Sequence, residues 1–286
     1  VLEGFLAHVQ PEGLLRAPAD GWNFMDWIAD WPLGVPPDGF DGLSGLLNWH
    51  LVYTLGLAAR LEEWAGEGLL AQRWQERRAA LAAASQAAFW DEARGLFADD
   101  LAHTRFSEHT QCLALLSGAL PEGAVRARTA QNLLADASLT RATIYFTHYL
   151  FETYRLLAQP AAFFARLGLW FDLPAQGFKT TPEQPEPTRS DCHGWGAHPL
   201  YHDFASLLGI RPAAFGFGRV EIAPMPGHLT RLAGEMVHPR GRIAVELHFE
   251  GGGLRGTVTL PEGVTGTLRY AGKSVDLHPG TQVVEV

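Results

Sequence analysis

The chain has 286 residues, of which 47% are hydrophobic and 19% charged, with a formal net charge of −9. That length and apolar fraction suffice for one large domain plus a small one, or two medium ones, each around a sizeable core. The negative balance excludes a nucleic-acid or anionic-membrane partner, both of which need clustered Lys and Arg, and no apolar run approaches the roughly 18 residues that cross a bilayer.

The sequence opens at Val1 inside a helical pattern and shows no signal-peptide pattern, so its true beginning is expected to lie upstream. Two cysteines, Cys112 and Cys192, form neither a disulfide framework nor a zinc spacing, and no metal or cofactor is implied. With no signal peptide, they favour a cytoplasmic compartment. Trp22, Trp27, Trp31 and Trp49 then gather beside Asp20, Asp26, Asp30 and Asp41. Any one of these rings is most simply core. The group together suits a sugar, whose C–H faces stack on rings and whose hydroxyls bond carboxylates.

Residues 40–66 place Leu43, Leu46, Leu47, His50, Thr54, Leu57, Ala58 and Leu61 at a helical period, and an Ala-rich helix follows over 68–90. Ser107 is a suitable N-cap for "EHTQCLALLSGAL", with Glu108 at the positive end. Further helices are predicted at 122–135, 141–158, 160–170 and 198–209, the second of these starting at Thr140 or Thr143. Past residue 215 the period changes to two. In "RIAVELHFE" Ile243, Val245, Leu247 and Phe249 alternate with polar residues, which predicts a half-buried strand. Gly251–Gly253 turn the chain back, and "GTLRYAGKSVDL" reads as a hairpin across Ala271-Gly272-Lys273-Ser274. About six or seven short strands predict a small antiparallel β-sandwich. The expected division is an all-helical domain over 1–214 and a β domain over 215–286.

The segment "TTPEQPEPTRSDCHGWGAHPLYHDFASLLGIRPAAFGFGRVEIAP" resembles the C-terminal signature of α-L-rhamnosidases of glycoside hydrolase family 78. "NFMDW" (23–27), "SEHTQCLALL" (107–116) and "ATIYFTHYLFETY" (142–154) match in the family's order, so the resemblance covers essentially the whole chain. It implies the C-terminal part of an (α/α)6 barrel catalytic domain followed by a β-sandwich. It also implies inverting hydrolysis of terminal α-L-rhamnosides, with a rhamnose-containing carbohydrate or glycoside as substrate.

Inversion requires two carboxyl groups about 6.5–9.5 Å apart, one protonated as acid and one ionised as base. The resemblance assigns the base to Glu183, with Glu186 as its rival. His193 then bonds sugar hydroxyls, orients the base, or packs as an ordinary loop histidine, and Trp195 comes from the same segment as a substrate contact. By the same resemblance Asp26 and Trp27 are expected to face the sugar, the alternative being a loop anchor packed between helices. His109 and Tyr145 open helices at the barrel mouth, as sugar contacts or as helix-end packing. Arg189 and Asp191 can pair with each other as scaffold. Cys192 is expected as a small buried residue, and His198, before Pro199 at a helix start, as structural.

The family's general-acid motif has no counterpart here, and seven or eight helices are expected where a complete barrel has twelve. The chain is therefore expected to be the base-bearing half of a longer or split enzyme, with the missing N-terminal half as its partner. The alternatives are a non-catalytic carbohydrate-binding or interaction fragment, and another inverting (α/α)6 glycosidase.

Overall fold

The computed structural model describes residues 1–286 and divides into two compact units. One comprises Val1–Leu157 with Gly177–Gly196, the other Ala158–Gln176 with Ala197–Val286.

The first unit holds α1 (Leu2–Leu6), α2 (Gly45–Ala65), α3 (Gly68–Phe89), a small hairpin of β1 (Trp90–Asp91) and β2 (Leu96–Phe97), α4 (Glu108–Leu116), α5 (Ala124–Ala135) and α6 (Thr147–Leu156). α2 and α3 form an antiparallel hairpin turned at Gly66, whose φ of 85° is the left-handed conformation that closes a helix C-terminus. α4 packs on α2, α5 and α6. It is the most buried helix, because Glu108 to Leu115 are all inside. Trp49, Phe89, Phe97, Phe146 and Phe151 fill the core at 0% exposure. Trp31 and Trp49 thus belong to the core, Trp49 lying edge-on to Phe97. The predicted apolar stripe of α2 is only partly inside: Leu46 and Leu47 are buried, whereas Leu57 and Leu61 are exposed, and the buried Leu51 and Leu55 lie outside that stripe.

Ser107 caps α4 as predicted, accepting from the Thr110 amide. α6 starts at Thr147 rather than at Thr140 or Thr143. The reason is local. The amides of Ala142 and Thr143 are taken by the Glu108 and Asp26 carboxylates, so this stretch is held in place by side chains before the helix begins.

The second unit holds α7 (Pro160–Phe171), α8 (His198–His202) and eight strands: β3 (Ile210–Pro212), β4 (Arg219–Ile222), β5 (Arg231–His238), β6 (Gly241–Glu250), β7 (Gly253–Leu260), β8 (Thr265–Tyr270), β9 (Lys273–Leu277) and β10 (Gly280–Glu285). They form two four-stranded sheets in the orders β10-β7-β6-β5 and β3-β4-β8-β9. Ile243, Val245 and Leu247 of β6 point inward, as the alternation required. The β8–β9 turn is the two-residue loop Ala271-Gly272, both at positive φ, with Tyr270 paired to Lys273. The sandwich is not purely antiparallel: β4 and β8 run parallel. The helix foreseen over 198–209 is α8 followed by one π turn, Asp203–Leu207. Gly209 ends it at φ +72°, where a Cβ would lie 2.1 Å from the Ala223 carbonyl oxygen. The compact units therefore group α7 and α8 with the strands, while the change of sequence period falls later, near residue 215.

Candidate active site

Three segments of the first unit meet at one place: the loop 23–27, the stretch 143–149 and the proline-rich segment 181–195. Asp26 fastens the first to the second. Its side chain is fully buried, and its oxygens accept from His109 Nε2 (2.9 Å), the Thr143 amide (2.6 Å), Thr143 Oγ1 (2.5 Å) and the Trp27 amide (2.9 Å). His109, also at 0% exposure, lies between the rings of Trp31 (4.7 Å) and Phe146 (4.3 Å). Neither residue has surface to offer a ligand, so the expected sugar contacts at Asp26 and His109 are corrected to supports. They fix the positions of Trp27 and Thr143 from beneath.

The proline-rich segment is pinned by its own backbone. The Glu183 amide donates to the Ser190 carbonyl (2.8 Å) and the His193 amide to the Thr181 carbonyl (2.8 Å). The Trp195 indole donates to the Glu183 carbonyl (2.7 Å). Trp195 stacks on Phe24, with ring centroids 5.5 Å apart and planes 8° from parallel, and touches Tyr145 (5.0 Å) and His193 (4.3 Å). Phe24 in turn meets Trp22, Trp27 and Tyr145. Tyr145 lies 6.3 Å from Tyr149, which also meets His50 and Tyr53. Burial, with Tyr145 beside it, raises the pKa of the Tyr149 hydroxyl, and burial lowers that of His50 to about 4. Both groups are therefore neutral near pH 7.

Glu183 sits against this wall of rings with a side chain only 5% exposed. Arg189 grips it bidentately, Nη2 to Oε1 at 2.5 Å and Nε to Oε2 at 3.3 Å. The Arg189 hydrogen bond is the main reason the Glu183 pKa lies below the usual range. Burial opposes it, while the Arg189 charge, His193 and the Trp27 indole N–H also favour the ionised form. The Trp27 contribution is weak, its geometry falling short of a full hydrogen bond. The rival Glu186 is exposed and accepts from the Thr188 amide (2.9 Å) within its own turn.

Of the seven residues singled out by sequence, the structure brings Trp27, Tyr145, Glu183, His193 and Trp195 to one surface, with Asp26 and His109 behind it. Two further readings are corrected. Arg189 pairs with Glu183 rather than with Asp191, because the backbone bonds across 181–193 bring residues 183 and 189 together. Cys192 is exposed, not buried. Asp20, Asp30 and Asp41 are exposed as well, and Asp41 pairs with Arg16 at 3.4 Å. Sequence reasoning passed over Phe24, Tyr149, His50 and Tyr53. The only signal for Phe24 was its place inside "NFMDW", and Tyr149 falls one turn after Tyr145.

A unit of paired helices and a two-sheet β unit, with a carboxylate framed by rings in the first, are the architecture that the family models match. Residues 5–146 match the bacterial alpha-L-rhamnosidase 6 hairpin glycosidase domain, and residues 209–284 match the bacterial alpha-L-rhamnosidase C-terminal domain. The chain belongs to the bacterial α-L-rhamnosidase family, glycoside hydrolase family 78, and its fold is a partial (α/α)6 barrel followed by a β-sandwich. It is similar to the family 78 rhamnosidase of Bacillus sp. GL1, with 26% identity and a TM-score of 0.81 over 94% of this chain and 29% of that one. It shares the fold of the Streptomyces avermitilis α-L-rhamnosidase complexed with L-rhamnose (18% identity, TM-score 0.71, 100% of this chain and 30% of that one). It also shares that of the Aspergillus terreus enzyme (19%, 0.68, 83% and 30%). The chain thus spans less than a third of the length of these three structures. No curated protein sequence matches it significantly.

Proposed function

We propose that residues 1–286 carry the general-base part of an inverting α-L-rhamnosidase, with 1–214 contributing to the catalytic barrel and 215–286 forming the trailing β-sandwich. The observation that carries this is the state of Glu183. A general base must be ionised before the reaction, and a bidentate arginine keeps this carboxylate so. The same environment unsuits it for the acid role, which needs a carboxyl that holds its proton. Each Glu183 oxygen accepts from Arg189 through one lone pair and retains a second direction for a water. Glu183 takes the proton of that water as it attacks the anomeric carbon. A carboxylic acid on the opposite face of the sugar, supplied by the upstream part of the enzyme, protonates the leaving oxygen. Trp27, Trp195 and Tyr145 offer ring faces to the rhamnose ring, and His193 offers a ring nitrogen to a hydroxyl. Asp26 and His109 position this surface without touching the sugar. The exposed Leu57, Leu61 and Trp64 of α2 support a barrel completed by further helices.

The test is hydrolysis of an aryl α-L-rhamnoside by the longer enzyme that contains this chain, followed by NMR of the first-formed sugar. β-L-rhamnose as the initial product supports the reading, and α-L-rhamnose overturns inversion. Residues 1–286 alone should be inactive and should regain rate when the upstream half is added in trans. Activity of the isolated chain would mean that the acid lies within it.

A further inference from the structure

Arg189 touches two elements at once. Its guanidinium forks onto both oxygens of Glu183, and its Cζ lies 4.6 Å from the ring centroid of Trp27 on the 23–27 loop. The pair is lopsided: the Glu183 side chain is 5% exposed and that of Arg189 62%. A long exposed side chain has many rotamers, and a surface ion pair alone rarely holds one of them. Here the planar fork fixes one edge of the guanidinium while its Cζ lies over the Trp27 ring, a combination that the point charge of a lysine cannot reproduce. Trp27 is itself held from behind, its amide donating to the buried Asp26 carboxylate.

Resting on the proposed base role of Glu183, we propose that Arg189 is a positioning residue that ties the Glu183 carboxylate to the face of Trp27. The ring on which a sugar would lie and the base that would serve it are thereby held in one register. Disturbing either contact of Arg189 then disturbs both partners. The charged or titratable groups acting on Glu183 are Arg189 and His193, both on its own segment, and the packed 23–27 loop adds only the uncharged Trp27 indole. Without Arg189 the nearly buried carboxylate keeps the cost of burial and loses its principal cation. It therefore gains affinity for a proton.

Two measurements test this. In the longer enzyme, the acidic limb of the kcat/KM profile reports protonation of the base, and in Arg189→Met it should move to higher pH. Trp27→Ala should move it in the same direction, because Arg189 loses its platform. Arg189→Lys should return the limb towards its original position without restoring kcat, since charge is recovered but not the fork. In residues 1–286, NMR titration of 13C-labelled glutamate should give a Glu183 carboxylate that titrates higher in Arg189→Met than in the unaltered chain. That readout needs no activity. An unchanged Glu183 titration in Arg189→Met overturns the proposal whatever the enzyme does. A shifted titration together with full activity of Glu183→Gln would keep the Arg189–Glu183 link and sink the base assignment instead.

Discussion

Asp26 and His109 meet at 2.9 Å with neither side chain exposed to solvent, although 83 residues separate them in sequence. The same carboxylate takes both donors of Thr143, so one side chain joins the 23–27 loop, the start of α4 and the approach to α6. Removing it would leave four donors without their acceptor: His109 Nε2, the Thr143 amide and hydroxyl, and the Trp27 amide. Asp26→Ala should cost about 3–5 kcal/mol, the range for breaking a buried pair from one side. The measurement is the helical unfolding transition followed by circular dichroism. An unchanged midpoint would mean that the node is dispensable.

Glu183→Gln keeps the shape of the carboxylate but cannot accept a proton. In the longer enzyme kcat should fall by about 10²–10⁴-fold with KM little changed. Azide should restore rate if it can replace the attacking water. Glu186→Gln should remain within a few-fold of wild type, since Glu186 only braces its own turn. The opposite pattern would transfer the base role to Glu186.

Trp195 does two separable things: it stacks on Phe24 and its indole N–H holds the Glu183 carbonyl. Trp195→Phe keeps a ring and loses the N–H. The expected result is a lower kcat with rhamnose affinity largely retained by calorimetry, whereas Trp195→Ala should weaken both. Equal loss of affinity in the two variants would assign Trp195 to sugar contact alone.

Most of the fold was legible because periodicity reports burial directly. The strand alternation over 242–250, the Ser107 cap and the Gly251–Gly253 turn all follow from local pattern, whereas β3 at Ile210–Pro212 comes before the expected change at residue 215. The first half of the segment 180–201 also announced itself, since Pro182, Pro185 and Pro187 forbid regular structure there and leave side chains free for other work. What escaped was non-local. Nothing in the spacing of Asp26 tells that its oxygens will be consumed by residues 109 and 143, so a buried anchor read as a sugar ligand. The pairing of Arg189 with Glu183 instead of the nearer Asp191 depends on the path of the loop. The outward face of α2 misled for a related reason: a helix carries its apolar stripe whether or not a neighbour covers it.

Gly209 makes a stringent local test of the second unit. Its φ of +72° disfavours any L side chain, and the Ala223 backbone leaves no room for a Cβ. The Gly209 carbonyl also accepts from the Ala223 amide at 3.0 Å, so the chain cannot move away without losing that bond. Gly209→Ala should destabilise this unit by at least about 1–3 kcal/mol, the cost of strained backbone alone. Hydrogen exchange of the β3 and β4 amides should report it, and protection equal to wild type would show that the backbone relaxes freely.

Asp99 should give the first unit a pH dependence of defined sign. Its carboxyl is 1% exposed and accepts from Ser107 Oγ (2.8 Å) and Thr110 Oγ1 (2.5 Å), which fixes the cap of α4. Burial nevertheless dominates and raises its pKa above the ordinary aspartate value of 3.8, the two hydroxyls and His109 opposing the rise. The folded state therefore keeps this proton to higher pH than the unfolded state. Stability falls wherever the folded state binds more protons, so the Asp99 contribution declines as pH rises from about 3.8 through the folded value. An asparagine in its place can still accept from both hydroxyls through its amide oxygen and does not titrate. Relative to Asp99→Asn, the wild-type chain should thus be most stable below about pH 3.8 and lose ground as pH rises through the folded value. Denaturant unfolding of the two proteins at matched pH values measures the difference, and a gap that stays constant or widens in favour of the wild type with rising pH would contradict the raised pKa.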